Sequence, residues 1–305
     1  ARNWDDVTSA FRDHYGTPMQ NFVYADTEGH IGYYAPGHIP VRASGDGSRP
    51  VEGWTGEAEW TGYVPFEALP HAYDPPEHFI VTANNRPSGA PGAPLIGLEY
   101  PNPYRAQRIV ELLREASARR KLSPNDFRDI QADRVSLHAR ALLPRLLAHA
   151  VPSEPQDRAA VEMLRGWDDQ ARGDSAAAAL FNAWFLELAP TIAGDDIGGS
   201  LPAYRGRFSS ITRFVESTID AHPEWCDTVG TQPVESCDEA VTAALHAAVK
   251  RLGDQLGPEM HRWKWSALHP AVFPHQGLDT VGALRPFLSR AVPNGGDWST
   301  VNVGP

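Results

Sequence analysis

Residues 53–87 read GWTGEAEWTGYVPFEALPHAYDPPEHFIVTANNRP, and this stretch decides how the whole chain is interpreted. It combines many Gly and Pro turn signals with one short apolar run. The run 78–83 is rich in β-branched and aromatic residues and follows two prolines, which predicts a buried strand. The strand is predicted to end at Asn84 and Asn85, immediately before an Arg-Pro pair that stops further strand pairing.

The two adjacent amides suggest a chemical role. A carboxamide fixed at the end of a strand presents an N–H donor on a rigid element, which is what an oxyanion-stabilising group requires. Asn is also a common turn residue. A turn at Asn84 and Asn85 is therefore the alternative interpretation of the same pattern.

Short motifs follow one another along nearly the whole chain. They are QNFVYAD (20–26), GHIGY (29–33), GW (53–54), EW (59–60), PF (65–66), TANN (82–85), RI (108–109), WD (167–168), FPH (273–275), PNGG (293–296) and TVNV (300–303). In this order they resemble the β-chain of the penicillin acylase (penicillin amidase) family of N-terminal-nucleophile hydrolases. Each motif is weak alone, and their number and order carry the resemblance.

The resemblance implies both a fold and an activity. The fold class is α+β, a partial αββα sandwich of N-terminal-nucleophile hydrolases made from the terminal strands and loops, with a large central helical region. We expect a β-rich part of the core carrying the oxyanion Asn over 1–102, a helical region over 103–256 and a return to the core over 257–305. The implied activity is hydrolysis of an acyl amide, as in penicillins, acyl-homoserine lactones or acylated lipopeptides.

The resemblance also implies roles for individual residues. Asn84 matches the side-chain oxyanion donor of the family, and Arg108 matches an arginine that orients this Asn and the surroundings of the nucleophile. Arg105 is the alternative, because a small gap would bring it into register. For either arginine, a surface ion pair with Glu111 or its neighbours is the simpler interpretation, worth little energetically. Gln20 matches a position that lines the acyl pocket, although a family member has an apolar residue there.

The family's nucleophile has no match in this sequence. In the family, the first residue of the β-chain attacks the amide while its own α-amino group acts as the base. The sequence starts at Ala1, and we expect an internal piece of the β-chain that is inactive alone. Its expected partners are the α-chain and the remaining β-chain of the same precursor, and a small acylated amide substrate. We expect no cofactor here, because the family's calcium ligands are not matched.

Two other function classes stay open. One is a non-catalytic structural or binding module. The other is a serine hydrolase using Ser44, Ser48 or Ser88, which lie in Gly-rich loops. The chain contains no Gly-x-Ser-x-Gly motif, and no acid and His stand at recognisable positions, so the second alternative has little support.

Composition limits the partners. The 305 residues are 42% hydrophobic and 10% aromatic, which is enough for a substantial core. The net charge is −11, and no basic block exceeds Arg119-Arg120-Lys121. No nucleic-acid partner is expected. No membrane partner is expected either, because no apolar run approaches the length of a membrane span.

The two cysteines, Cys226 and Cys237, flank a loop rich in Gly, Pro and Thr. Their spacing fits no zinc motif, and His261, His269 and His275 in the tail have no interleaved acid, so no metal site is predicted. A disulfide is predicted, with two free thiols as the alternative. A disulfide implies an oxidising compartment, and the protein is expected to be periplasmic or extracellular.

Hydrophobic periodicity and turn signals predict the remaining elements. Before residue 103 they are a helix (4–15), a hairpin of two strands (21–26 and 30–35) and a long loop (36–76) with one helical turn near 66–68. After residue 103 they are helices around 104–113, 124–131, 137–147, 161–164, 175–188, 211–219 and 238–252, and an extended tail ending in a strand (299–303).

Overall fold

The computed structural model describes residues 1–87, 93–205 and 207–303. The chain forms two compact units, residues 1–106 and 107–305. Residues 257–303, predicted as a separate return to the core, belong to the second unit. Helices and small sheets are both present, so the fold class is α+β as predicted. Ser88, considered above as a nucleophile, lies outside the described residues.

The helices follow the predicted order, and the segments predicted as helical after residue 103 all contain one. Their bounds are α1 Trp4–His14, α2 Tyr104–Ser117, α3 Pro124–Gln131, α4 Leu137–His149, α5 Pro155–Arg165, α6 Ala176–Ile197, α7 Leu201–Arg205, α8 Phe208–Ala221, α9 Cys237–Leu256, α10 Trp265–Leu268 and α11 Arg285–Leu288.

The strands that the structure describes are short, and each of their pairings is antiparallel. Their bounds are β1 Phe22–Ala25, β2 Ile31–Tyr34, β3 Pro40–Arg42, β4 Trp60–Tyr63, β5 His71–Tyr73, β6 Pro270–Phe273 and β7 Arg290–Pro293. They form a three-stranded sheet in the order β1-β2-β5, and two-stranded sheets β3-β4 and β6-β7.

The first unit is built on the predicted β1–β2 hairpin. Gly29 in its connection has φ +96°, a conformation that glycine adopts without steric cost. Helix α1 lies on the sheet through Trp4, whose ring stacks on Tyr73 with centroids 5.1 Å apart. A Cβ on Gly32 would lie 2.3 Å from the Trp4 ring, so this glycine allows the helix to approach the sheet.

The prediction of a long loop over 36–76 is wrong in part. The helical turn is confirmed at Phe66–Ala68, but the segment also contains β3, β4 and β5. These strands have only three or four residues, which is too short for a visible period. Their partners are distant in sequence, as in the pair Val41–Gly62. Such non-local pairing leaves little trace in a local pattern.

The predicted strand over 78–83 is also wrong. His78 has φ +58° and its N–H donates to the carbonyl of Pro75, so the segment enters through a turn. Within the described residues, the backbone of 79–82 pairs with no neighbouring strand. Apolar, β-branched side chains favour a strand only where a partner takes up its backbone N–H and C=O groups.

The core of the second unit is helix α6, packed against α9. Phe181, Trp184 and Phe185 on α6 are almost completely buried. The indole N–H of Trp184 donates to the carbonyl of Val241 at 3.0 Å, which satisfies the one polar atom of the side chain. Ser175 caps the helix by accepting from the N–H of Ala178.

The same helix corrects one expectation about apolar runs. The stretch Ala176–Tyr204 is long and apolar enough to cross a membrane by length and composition, contrary to the sequence analysis. In the structure, 72% of its most apolar window is buried inside the protein. A helix that is apolar all round is what a central core position also requires.

The predicted strand over 299–303 is wrong, since these residues form a turn. The carboxylate of Asp297 accepts from the N–H groups of Ser299 and Thr300 at 2.8 and 3.1 Å, which closes the chain on itself. The alternation of polar and apolar residues predicted a strand, but the side chain of Asp297 offers the backbone a competing local partner. Strand structure in the tail lies instead in the β6–β7 hairpin.

A disulfide joins Cys226 and Cys237, with Cα atoms 5.1 Å apart. It ties the turn Pro223–Cys226 to the first residue of α9. Replacing both cysteines by Ser should lower the free energy of unfolding by about 2–3 kcal/mol, because the unfolded chain regains the loop entropy. Urea unfolding of the oxidised protein and the double variant measures this. Equal midpoints, or two titratable thiols in protein never exposed to reductant, would contradict it.

Candidate active site

Asn84 lies in a turn and not at a strand end. Its φ is +63°, in the left-handed region that Asn tolerates better than most residues. The preceding Ala83 is buried and anchors the turn, whereas Asn84 itself is exposed. The backbone at Asn84 therefore forms the turn that was the alternative prediction. The carboxamide of Asn84 lies at the surface of the first unit.

The neighbouring amide is used by the turn itself. The Oδ1 atom of Asn85 accepts from the N–H of Ala83 at 3.1 Å, and its Nδ2 donates to the carbonyl of Arg86 at 3.2 Å. Both ends of the Asn85 carboxamide are engaged with backbone. The two amides therefore differ, because only Asn85 has its side chain tied to the turn.

Asn84 is held by an arginine. The Nη2 of Arg105 donates to Oδ1 of Asn84 at 3.0 Å. A guanidinium has donors only, so the atom facing it must be the amide oxygen. The Nδ2 group of Asn84 is then turned away from Arg105 and can donate to another acceptor.

Arg105 is a half-buried cation. It is the second residue of α2, and burial lowers the pKa of its guanidinium, which stays charged at neutral pH. Among the described residues no carboxylate forms an ion pair with it. Its positive charge is therefore not cancelled locally and adds to the field around Asn84.

Arg108 has a different environment in the second unit. Its Nε and Nη2 atoms donate to both carboxylate oxygens of Asp133 at 3.0 and 2.9 Å, and Nη1 donates to Glu111 at 3.1 Å. The Asp133 hydrogen bond raises the pKa of Arg108, although burial acts against it. This is the ion-pair arrangement considered as the simpler interpretation. Arg105 is the arginine that contacts Asn84 within the first unit.

Gln20 is exposed in the connection between α1 and β1. The next residue, Asn21, accepts a 2.5 Å hydrogen bond from the hydroxyl of Tyr33. Burial raises the pKa of Tyr33 to about 12, so the hydroxyl remains a donor. The assignment of Gln20 to an acyl pocket stays a prediction.

A cavity of about 200 Å³ adjoins the turn, and the sequence analysis did not anticipate it. Its walls include Tyr33, Phe79, Val81 and Asn85. The sequence predicted the β1–β2 hairpin that carries Tyr33, but nothing local showed which segment this side chain would meet. The cavity is therefore a product of long-range packing in the first unit.

The described residues do not fit a metal site. No group of three or more His, Cys, Asp or Glu side chains lies close enough together in this part of the chain to hold an ion.

The comparisons with known proteins agree with each other. The whole chain, residues 1–305, matches the family described as penicillin amidase. The penicillin acylase 2 proenzyme of Pseudomonas sp. (strain SE83) is 31% identical over 294 residues, which cover 94% of this chain and 36% of that protein. The acyl-homoserine lactone acylase QuiP of Pseudomonas aeruginosa is 30% identical, covering 99% of this chain and 39% of that protein.

The fold has a solved counterpart. The structure of a thermostable penicillin G acylase from Alcaligenes faecalis superposes with a TM-score of 0.66 at 23% identity. The match covers 97% of this chain and 57% of that chain. At this identity the likeness shows the fold alone. The chain spans less than two fifths of the length of the two relatives described above.

Proposed function

The chain belongs to the penicillin amidase family, and we propose that the longer protein of which it forms part is an amide-cleaving acylase. The observation that carries the proposal is the Asn84–Arg105 pair, which leaves Nδ2 of Asn84 without a hydrogen-bond acceptor among the described residues. The relatives are penicillin and acyl-homoserine lactone acylases. The chain covers only part of them, so the activity is proposed for the whole protein.

Asn84 serves as one donor of the oxyanion hole. When a nucleophile attacks the scissile carbonyl, the oxygen gains nearly a full negative charge. The Nδ2–H of Asn84 stabilises that charge more than it stabilises the neutral carbonyl, which is the condition for raising kcat. Arg105 contributes by holding Oδ1 of Asn84, so that the amide is oriented before the substrate arrives.

The nucleophile and base come from polypeptide outside these residues. By the family resemblance, they are the first residue of the β-chain and its α-amino group. The α-chain and the remaining β-chain complete the αββα sandwich to which the strands of this chain contribute. Without them the 305-residue chain is inactive.

The substrate is a small molecule with an acyl group on an amide nitrogen, as in penicillins, acyl-homoserine lactones or acylated lipopeptides. The names of the two relatives support the first two classes. Gln20 is proposed to line the acyl pocket. The Cys226–Cys237 disulfide supports a periplasmic or extracellular location.

The alternative is a non-catalytic structural or binding module, and one assay separates the two. A chromogenic acyl-anilide is given to the complete processed protein and to the 305-residue chain. The acylase proposal expects turnover by the complete protein and none above buffer by the chain alone. A complete protein that hydrolyses no acyl amide in a panel of chain lengths supports the module. Stoichiometric turnover by the chain alone indicates a nucleophile within it.

Arg105→Ala and Arg108→Ala are expected to act on different properties. In the complete enzyme, Arg105→Ala should lower kcat by about 10–100-fold, because Asn84 loses the contact that orients it. Arg108→Ala should leave kcat near the wild-type value and lower the unfolding free energy by about 1–3 kcal/mol, because Asp133 loses its partner. Kinetics and thermal melts of both variants measure this.

Arg105→Lys is the matched control for the first variant. It keeps the charge and one donor, and should recover part of the kcat lost in Arg105→Ala. The reverse outcome, with kcat lost in Arg108→Ala and retained in Arg105→Ala, would assign the orienting role to Arg108.

A further inference from the structure

The β6–β7 hairpin with its connection, residues 270–293, exposes most of its side chains. From 272 to 293, only Asp279 and Ser289 are not exposed. The large apolar residues of this segment are 38–74% exposed, and they are Val272, Phe273, Leu278, Val281, Leu284, Phe287, Leu288 and Val292. Apolar side chains of this size usually form a core, so the hairpin has its core residues on the outside.

Four of these side chains form a row along the connection. The N–H of Val281 donates to the carbonyl of Leu278 at 3.1 Å, that of Leu284 to Val281 at 2.9 Å, and that of Phe287 to Leu284 at 3.0 Å. Each bond joins residues three apart in the sequence, as in a 3₁₀ helix, where side chains at this spacing lie above one another. The four side chains therefore lie on one side of the connection. We call them the apolar row: Leu278, Val281, Leu284 and Phe287.

The polar groups of the connection bond to each other. The hydroxyl of Ser289 donates to Asp279 and accepts from the N–H of His275. The Nε of Arg285 lies 3.6 Å from the carboxylate of Asp279, and Nη1 of Arg290 donates to the carbonyl of Ser289 at 3.1 Å. These contacts fix the fold of the connection without covering the apolar row. The surface that it presents outward is therefore mainly apolar.

The two strands of the hairpin have no outer neighbours. Among the described residues, β6 and β7 pair with each other and with no third strand. All residues of β7 are exposed, and on β6 only Ala271 is buried, so only the base of the hairpin is covered. A two-stranded hairpin of this kind is marginally stable in water. It therefore requires a further surface to pack against.

The longer protein proposed above can supply that surface. The chain covers 36% and 39% of the two acylase relatives, and the solved counterpart superposes on 97% of this chain but on only 57% of its own. An anionic membrane fits the hairpin less well. The chain has a net charge of −11, and Arg285 and Arg290 already have partners within the connection.

We propose that, in the longer protein, the apolar row is covered by an apolar surface of the polypeptide that lies outside these 305 residues. The inference rests on the proposed function, because it needs the longer protein. Burial of the row removes apolar surface from water and so favours assembly of that protein. In the 305-residue chain by itself Phe287 stays exposed, and its truncation there costs little stability.

Hydroxyl-radical footprinting of the complete, processed protein tests this without any substitution. The oxidation rate of Phe287 is measured in the native protein and in urea, and the fully buried Phe181 gives the rate of a covered Phe. Since Phe287 is 74% exposed, only a further surface can protect it. We expect its oxidation to be at least about fivefold slower in the native protein than in urea. A smaller protection would overturn the proposal.

The same measurement separates the possible occupants of the apolar row. Sedimentation velocity gives the oligomeric state at the concentration used for footprinting. Protection of Phe287 in a single copy of the complete protein supports the remaining polypeptide as the occupant. Protection that disappears when an oligomer is diluted to single copies would assign the row to a second copy. Protection that appears only with phosphatidylglycerol vesicles would assign it to a membrane. Either of these two results would overturn the proposal.

Leu284→Asp and Thr280→Asp place the same charge at two positions of the connection. Leu284 belongs to the apolar row, whereas Thr280 is exposed and lies outside it. In the complete protein, Leu284→Asp should lower the melting temperature by at least about 2 °C more than Thr280→Asp, because only the first charge enters the covered surface. Equal melting temperatures of the two variants would count against the covered row and overturn the proposal.

The acyl-anilide assay on the same protein separates this inference from the proposed function. A complete protein that hydrolyses acyl-anilides and leaves Phe287 unprotected refutes the covered row and retains the acylase. A complete protein that protects Phe287 and hydrolyses no acyl amide retains the covered row and refutes the acylase.

Discussion

Asn84→Ala in the complete, processed enzyme is expected to lower kcat by about 10²–10³, equivalent to ~3–4 kcal/mol. The side chain is exposed, its Oδ1 contacts Arg105, and its Nδ2 donates to none of the described residues, so Nδ2 can meet the developing oxyanion. The loss should fall on kcat more than on KM, because the donor acts mainly in the transition state. Steady-state kinetics with one acyl-anilide measures both constants.

Asn85→Ala is the matched control. Its carboxamide closes the turn through Ala83 and Arg86. The variant should keep kcat and lose about 1 kcal/mol of stability, the usual worth of such hydrogen bonds. If Asn84→Ala keeps the wild-type kcat while Asn85→Ala loses it, the assignment is off by one residue. If both variants keep it, the turn is only scaffold.

Trp184→Ala is expected to have the largest effect on stability. The side chain is fully buried at the centre of the second unit, and its N–H bonds to the carbonyl of Val241. Its removal leaves a large cavity and takes away the hydrogen bond to Val241, which together should cost about 3–5 kcal/mol. Urea unfolding followed by far-ultraviolet circular dichroism measures the change.

Phe287→Ala serves as the comparison, because this aromatic side chain lies in the same unit and is 74% exposed. Its stability should change by less than about 0.5 kcal/mol. A Trp184→Ala midpoint equal to that of Phe287→Ala would contradict the assignment of α6 as the core helix.

The helices could be predicted because their signals are local. Ser123 and Asp126 form the capping box that marks the start of α3, and Ser236 and Glu239 form another at the start of α9. On α8, the regularly spaced apolar residues Ile211, Val215 and Ile219 are all buried. These signals involve residues that are close together in the sequence. They can therefore be recognised without knowing the tertiary structure.

Apart from the β1–β2 hairpin, the strands could not be predicted, because their signals are not local. Whether 78–83 becomes a strand depends on a neighbour that the local sequence does not name, and β5 pairs with β2 across a long connection. The alternating pattern of 299–303 predicted a strand, but the carboxylate of Asp297 accepts from the N–H groups of Ser299 and Thr300 and holds the segment in a turn. In each case the outcome depended on a hydrogen-bond partner outside the pattern.

The contacts of the candidate site were also only partly predictable from the sequence. Asn84 could be named from its motif, but Arg105 and Arg108 are three residues apart, less than one helical turn. A small gap in the match to the family leaves open which of them meets Asn84. In the structure Arg105 contacts Asn84, and Arg108 contacts Asp133.

Binding of a transition-state analogue tests the central claim most directly. A phosphonate carrying the acyl group of a good substrate mimics the tetrahedral oxyanion, and its affinity is measured for the wild-type enzyme and for Asn84→Ala. The affinity should fall by the same factor as kcat/KM, about 10²–10³, while affinity for the acid product changes little. Unchanged affinity for the phosphonate in Asn84→Ala would contradict the role of Asn84 as an oxyanion donor.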